Sequence, residues 1–329
     1  MNEINADKAA RTGPPTTSLR RALRILGDPW TMLILKDAYN GERRFSGFQR
    51  RLNIPKQTLS LRLAHLCHEQ MMYRRQVSPT HSTLEYWLTA KAFDLQDAMY
   101  SVWLWHEANP RDVSVLPFEM VHRTCGQRIS ATYRCTHCRN AATSRTVTVE
   151  RTQPLQFDGE PRDRLSRRND AAVTAAGDAG AETMVAASLV GDIACNEILY
   201  ALFQSGRHLT AIAEDLDLGL SVVRGRLEKL RHLGLVEESR DGRKQVYSVL
   251  PKADEFYPLL LSIADWGDRW CNDGQPPPEL RIHACGELVR GRFCCDHCGG
   301  WISRDTVSIR PRAGATTAAP AMTDGPELQ

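Results

Sequence analysis

Two short runs of this 329-residue sequence place thiol and imidazole groups at spacings that suit metal ligation. Cys125, Cys135 and Cys138 form a Cys-x9-Cys-x2-Cys run, and Cys285, Cys295 and Cys298 repeat it. Gly126 and Gly286 follow the first cysteine of each run, and His137 and His297 lie inside the Cys-x2-Cys pairs. A Cys-x2-Cys turn lets two thiolates share one zinc ion at about 2.3 Å each, so each run is one ligand short of a tetrahedral site. His122, three residues before Cys125, and His283, two before Cys285, are placed to complete one Cys3His site per module. His137 and His297 are the alternatives, although a side chain inside such a turn points outward. Structural zinc, one ion per module, is therefore expected, which requires deprotonated thiols in a reducing setting. Cysteines that only pack, or a redox switch, are the competing readings. A catalytic zinc is not, because no Glu or His sits at helical spacing to serve as a base. Cys67, Cys195, Cys271 and Cys294 read as buried or bystander thiols.

A second kind of chemistry, attraction to a polyanion, is concentrated between Arg43 and Arg75. There Arg43, Arg44, Arg50, Arg51, Lys56, Arg62, Arg74 and Arg75 stand against Glu69 alone. Charge of this density releases counterions from DNA phosphates. Phe45, Phe48 and Leu52 keep helical spacing, and Ser46 is placed to cap the short helix they define. Asn53, Ile54 and Pro55 read as a tight connection, and a second helix follows from about Pro55 to Gln70 with Leu59, Leu63 and Leu66 inward. Gln57, Thr58, Ser60, Arg62 and His65 then lie near base edges and Arg43, Lys56 and Arg75 on phosphate, with Arg44, Ser46 and Arg74 as further DNA-binding candidates. The pattern is a helix-turn-helix, and its expected partner is double-stranded DNA.

The elements that must position these groups occur twice. Gly27-Asp28 matches Gly191-Asp192, and at the same offset of 164 Leu52 pairs with Leu216, Arg62 with Arg226 and Leu66 with Leu230. The offset is 161 at Tyr86 and Tyr247, and 160 at the cysteines. Such order reads as an internal duplication. The expected organisation is a disordered start over 1–17, a winged helix-turn-helix over 18–110, a cysteine module over 111–150, a flexible linker over 151–183, a second winged helix over 184–273, a second module over 274–310 and a disordered tail over 311–329. The fold class is mainly α with small β wings (α+β), two winged-helix domains each followed by a small zinc-ribbon-like module. In the second copy Ser221, Arg224, Arg226, Arg243 and Lys244 are the DNA-facing candidates. Between Arg207 and Lys244, however, eight basic residues meet seven acidic ones, so this copy should hold phosphate less strongly.

The strings LGDPWTMLILKDAYNGERRFSGFQRRL, TLSLRLAHL and EYWLTAKAFDL, with the helix ending in Trp105, resemble the HxlR-type winged-helix regulators. The likeness covers about 18–109 well and 184–270 more loosely. It implies a MarR-like fold, homodimers on palindromic DNA and, in several members, thiol sensing; a cysteine-bearing tail is similar to an extension in part of the family. Thr17-Ser18 stands where many members have a cysteine, and Ala194 replaces the tryptophan that matches Trp30.

Composition places the chain among globular proteins: 42% hydrophobic, 25% charged, formal net charge +3. No apolar run is long enough to span a bilayer and no signal peptide is legible at the start, so a cytoplasmic setting without membrane contact is expected. No Gly-rich phosphate loop, nucleophile elbow or His-Glu metal helix supports an enzyme. The expected function is DNA-binding regulation by an in-chain pseudo-dimer or a homodimer, with the first copy the stronger reader. The alternative is a protein-interaction or redox- or metal-responsive module whose second copy binds no DNA.

Overall fold

Gly27 and Pro29 interrupt an apolar helical pattern, and the chain breaks there into helix α1 (Ser18–Leu26) and helix α2 (Pro29–Tyr39). Asp28 caps α2, its carboxylate accepting from the Thr31 amide at 3.2 Å, a bond that satisfies one of the orphan donors of a helix start. The computed structural model describes residues 16–78, 81–108, 118–153, 189–242 and 244–312. Thr16 and Thr17, assigned to a disordered start, are buried, and the Thr17 hydroxyl accepts from the Arg20 amide at 3.0 Å. Likewise Arg151 ends a strand rather than opening a linker, and Pro311 ends a strand rather than opening a tail. Residues 1–15, most of the expected linker and the tail beyond Arg312 lie outside the described residues.

The described chain forms two compact units. One draws on 25–78, 81–108, 118–134, 189–191 and 291–312, the other on 16–24, 135–153, 192–242 and 244–290. In the first unit α2 is followed by α3 (Phe45–Leu52), α4 (Lys56–His68), the hairpin β1 (Met72–Ser78) and β2 (His81–Leu88), the short α5 (Ala90–Phe93) and α6 (Gln96–Ala108). Asn53 ends α3 in the left-handed conformation (φ 47°), which a short polar side chain tolerates better than most. Phe48, Leu59, Leu63 and Leu66 are fully buried, which fixes the turn between α3 and α4. The hairpin is antiparallel, with Met72 opposite Leu88 and Arg75 opposite Glu85. Strands β3 (Phe118–His122) and β4 (Ala131–Cys135) come next in sequence.

The second unit begins with α1, takes up the chain again at Cys135 and has β5 (Val147–Arg151) as its next strand. It then repeats the order: α7 (Ile193–Gln204), the two-residue β6 (Arg207–His208), α8 (Leu209–Leu216), α9 (Leu220–His232), the wing β7 (Val236–Asp241) and β8 (Lys244–Val249), α10 (Pro251–Asp254) and α11 (Tyr257–Trp270). Asp217 closes α8 at φ 49°, as Asn53 closes α3. Strand β9 (Glu279–His283) pairs antiparallel with β5. The last strands, β10 (Gly291–Cys295) and β11 (Val307–Pro311), belong to the first unit, where β10 lies beside β4 and β11 pairs with β3. Among the described residues no helix is long and apolar enough to cross a membrane.

Residues 18–24, read from sequence as the start of the first winged helix, belong to the unit that holds the second. Three contacts explain this. Arg20 and Glu197, both buried, form an ion pair at 2.7 Å; Arg21 donates to the Asn272 side chain at 2.9 Å; and Ser18 exchanges hydrogen bonds with Asn272. Gly267 of α11 lets α1 approach closely, because a Cβ there would overlap the Ser18 carbonyl oxygen. Gly267→Val should therefore destabilise this unit by about 1–3 kcal/mol, the usual cost of overpacking. Limited proteolysis should cut 16–24 faster in the variant; unchanged melting and unchanged protection of that segment would refute the packing role.

Candidate DNA interface and metal centres

Helix α4 presents one apolar and one polar side. Leu59, Leu63 and Leu66 are buried, while Lys56, Gln57, Ser60 and Leu61 are exposed and Thr58 is half-buried. Arg44, Arg50 and Arg51 are exposed on or beside α3, and Arg74 and Arg75 are exposed on the wing. Glu85 lies 3.5 Å from Arg44, and Glu42 lies 3.9 Å from Arg51. Arg75 also lies over the Trp87 ring at 5.7 Å, a cation–π contact that holds the guanidinium on the hairpin.

Three residues expected at DNA have partners within the protein. Arg62 Nε lies 2.5 Å from the Asp28 carboxylate that caps α2, which ties the reading helix to the start of a core helix. His65 Nε2 lies 3.3 Å from the Ile25 carbonyl oxygen and is half-buried. Arg43 is 9% exposed, donates to the Ala38 carbonyl at 2.7 Å and stacks on Trp87 at 4.7 Å, so it braces the wing rather than facing phosphate. Ser46 does not cap α3: the cap position is Arg44, without a side-chain bond, and Ser46 is exposed in the first turn.

The second copy repeats the anchor and changes the face. Asp192 caps α7 and lies 2.9 Å from Arg226 and 3.1 Å from Lys229, so Arg226 is held as Arg62 is. Ser221, Arg224 and Lys244 are exposed; Arg243 lies outside the described residues. Glu214 and Asp217 are exposed on and just after α8, and Asp215 pairs with Arg207. Sequence reading missed Asp28, Asp192 and Trp87 as positioning residues, although the matched Asp–Arg pairs at a constant offset were a legible signal.

The eight metal-ligand candidates form two groups: His122 with Cys125, Cys295 and Cys298, and Cys135 and Cys138 with His283 and Cys285. The expectation of one complete site per module is corrected here, since each group takes one half from each module. The reason is the path of the chain, which puts the Cys125 turn with β10 in one unit and the Cys138 turn with β9 in the other. Within the first group Cys125 Sγ lies 3.9 Å from Cys295 Sγ, and His122 Nδ1 lies 3.5 Å from Cys125 Sγ and 3.3 Å from Cys298 Sγ. Within the second, His283 Nδ1 lies 3.4 Å from Cys138 Sγ and 3.3 Å from Cys285 Sγ. Ligand bonds of about 2.0–2.3 Å give tetrahedron edges of roughly 3.5–3.8 Å, so the observed separations fit an ion at each centre.

The four turns are built alike. Gly126, Arg139, Gly286 and Gly299, each directly after a ligating cysteine, have positive φ, from 63° to 88°. Backbone N–H groups of Gln127 and Asn140 point at the Cys125 and Cys138 sulfurs and hold those thiols below their ordinary pKa, which favours the ligating thiolate. The His283 ring nitrogen away from the cysteines lies 3.2 Å from the Ala141 carbonyl oxygen, the kind of outer contact that orients a metal-bound imidazole. His137 and His297 are exposed outside both groups. Cys195 is buried, and burial pushes its thiol well up, away from thiolate chemistry.

A helix-turn-helix followed by a two-stranded wing, with a basic polar face on its second helix, defines the winged-helix class of transcription regulators. The sequence profile of the HxlR-like helix-turn-helix family matches residues 25–113. The uncharacterized HTH-type transcriptional regulators Rv3095 of Mycobacterium tuberculosis and Mb3122 of Mycobacterium bovis are each 39% identical over 134 residues, which is 40% of this chain and 84% of each relative. The chain belongs to the HxlR-like family. Among solved structures, that of PA1607, assigned as a transcription factor, is 27% identical and covers 41% of this chain and 91% of its own, with a TM-score of 0.33. The homodimeric winged helix-turn-helix DNA-binding domain Mb0332 of Mycobacterium bovis is 23% identical, covers 33% of this chain and 91% of its own, and has a TM-score of 0.22.

Proposed function

We propose that this chain binds an operator in double-stranded DNA as one molecule, its two winged helices acting as the half-site readers that relatives supply from two subunits. The observation that carries this reading is the outward face of α4, where Lys56, Gln57 and Ser60 stand exposed beside Arg74 and Arg75 of the wing. Gln57 suits the paired donor and acceptor of an adenine edge, and the arginines suit phosphate. In the second copy Leu220 and Ser221 occupy the positions of Lys56 and Gln57, and Glu214 and Asp217 face outward. The first copy is therefore the stronger reader, and the preferred site is an imperfect palindrome with one strong half.

A salt titration tests the polyanion contact, and light scattering of the complex tests the stoichiometry. Arg44, Arg50, Arg51, Lys56, Arg74 and Arg75 acting together would give a slope of log affinity against log salt of about −5. A flat salt response would favour a protein-interaction role, and two chains on a perfect palindrome would favour an ordinary homodimer. We further infer that each Cys3His group holds one structural zinc ion. Three thiolates and an imidazole are soft and borderline donors that suit zinc, and all four positions are filled by the protein, as in a structural rather than a catalytic site.

A further inference from the structure

The two half-sites that make each metal centre come from opposite ends of the chain, and that arrangement has a consequence for how the metals act. We propose that each zinc ion is a cross-module staple. One ion joins the His122–Cys125 turn to the Cys295–Cys298 turn, the other joins the Cys135–Cys138 turn to the His283–Cys285 turn, and neither module binds zinc by itself. The inference rests on the zinc reading above and goes beyond it, because it assigns ligands to ions and makes the modules interdependent.

Several observations converge on it. Cys125 and Cys295 are 170 residues apart in sequence, and Cys138 and His283 are 145 apart, yet their ligand atoms lie at tetrahedral-edge distances. Backbone pairing holds each staple in register. β10 lies beside β4, and β11 pairs with β3 so that Val307 is opposite His122. The Asp296 amide donates to the Ser130 carbonyl at 2.9 Å, and the Asp296 carboxylate accepts from the Ser130 and Thr132 hydroxyls at 2.8 Å each. In the other centre β5 pairs with β9 so that Val147 is opposite His283, and the Thr136 amide donates to the Arg290 carbonyl at 2.8 Å. The Thr136 and Asp296 amides are related by the repeat, so both centres use the same lock. Each ion closes a loop that contains the whole second winged helix, residues 192–270. A loop that long is entropically costly to close without a strong bond, and metal–thiolate ligation supplies one.

The test is zinc stoichiometry in full-length double variants purified under reducing conditions without added metal. The unaltered chain should carry two zinc ions. Cys125→Ser with Cys298→Ser removes two ligands from one staple and should leave one ion. Cys125→Ser with Cys138→Ser strikes both staples and should leave none. Sites confined to single modules would reverse the two results, which overturns the staple while keeping zinc. A zinc-free unaltered chain overturns the zinc reading itself. Should a double variant misfold, alkylation of the single variant Cys125→Ser decides. The staple predicts that Cys295 and Cys298 become reactive while Cys135 and Cys138 stay protected, and the opposite labelling refutes it.

Discussion

Glu197→Ala should lower the stability of the unit holding the second winged helix by about 3–5 kcal/mol, the usual cost of leaving one member of a buried ion pair without its partner. Arg20 and Glu197 have side chains 1% and 4% exposed and lie 2.7 Å apart, so solvent does little to screen the charge left behind. At roughly 2–4 °C per kcal/mol for a unit of this size, melting should fall by on the order of 10 °C. The repeat supplies the control. At the matching offset, Met184 and Leu33 stand where Arg20 and Glu197 stand, so Arg20→Met with Glu197→Leu replaces an ion pair by apolar residues of similar volume. That double variant should be neutral or more stable, as such replacements often are. A drop of less than about 2 °C in Glu197→Ala would show that the pair does not hold α1 in place.

Gln57→Ala should cost about 1–3 kcal/mol at the preferred operator, roughly five- to 150-fold in affinity, and relax the preference at one base pair. Arg62→Ala should behave differently. Its guanidinium is engaged by Asp28, so its loss loosens the anchor between α4 and α2, and binding should weaken on every sequence together with a lower melting temperature. Ser221→Ala, at the position of Gln57 in the second copy, should cost less than about 1 kcal/mol, because that copy reads the weaker half-site. The discriminating measurement is binding to a library varied at each operator position. If Arg62→Ala altered the preference at a single base pair and left melting unchanged, it would be a reader and not an anchor.

Much of the fold was legible because local rules act over a few residues. The pattern of Leu59, Leu63 and Leu66, the break at Gly27 and Pro29, and the turn at Asn53 each follow from neighbours in sequence. The cysteine spacing identified all eight ligand candidates for the same reason. What it could not supply was their grouping, because a Cys-x2-Cys turn has the same spacing whichever histidine it meets, and the choice is made by strands far along the chain. The internal partners of Arg62 and His65 were hidden by the same limitation. Helical spacing puts both on the flank of α4, and only the position of Asp28 and of the Ile25 carbonyl supplies their partners. The Arg20–Glu197 pair was hidden because each charge sits in an otherwise helical apolar pattern with nothing nearby to mark its partner.

Among the described residues the chain changes unit at 24/25, at 134/135, between 153 and 189, at 191/192 and at 290/291. During synthesis this imposes an order. The first winged helix and its half of the metal centre leave the ribosome long before β10, Cys295 and Cys298 exist. At about 5–20 residues per second, the 170 residues separating Cys125 from Cys295 represent on the order of 10–30 s of translation. Through that interval His122 and Cys125 can offer only half a coordination shell, and the unit that will hold them lacks its last two strands. On the proposed staple this centre closes only once Cys298 has been made, so the nascent polypeptide carries the Cys125 thiol without its two partner thiols for that interval.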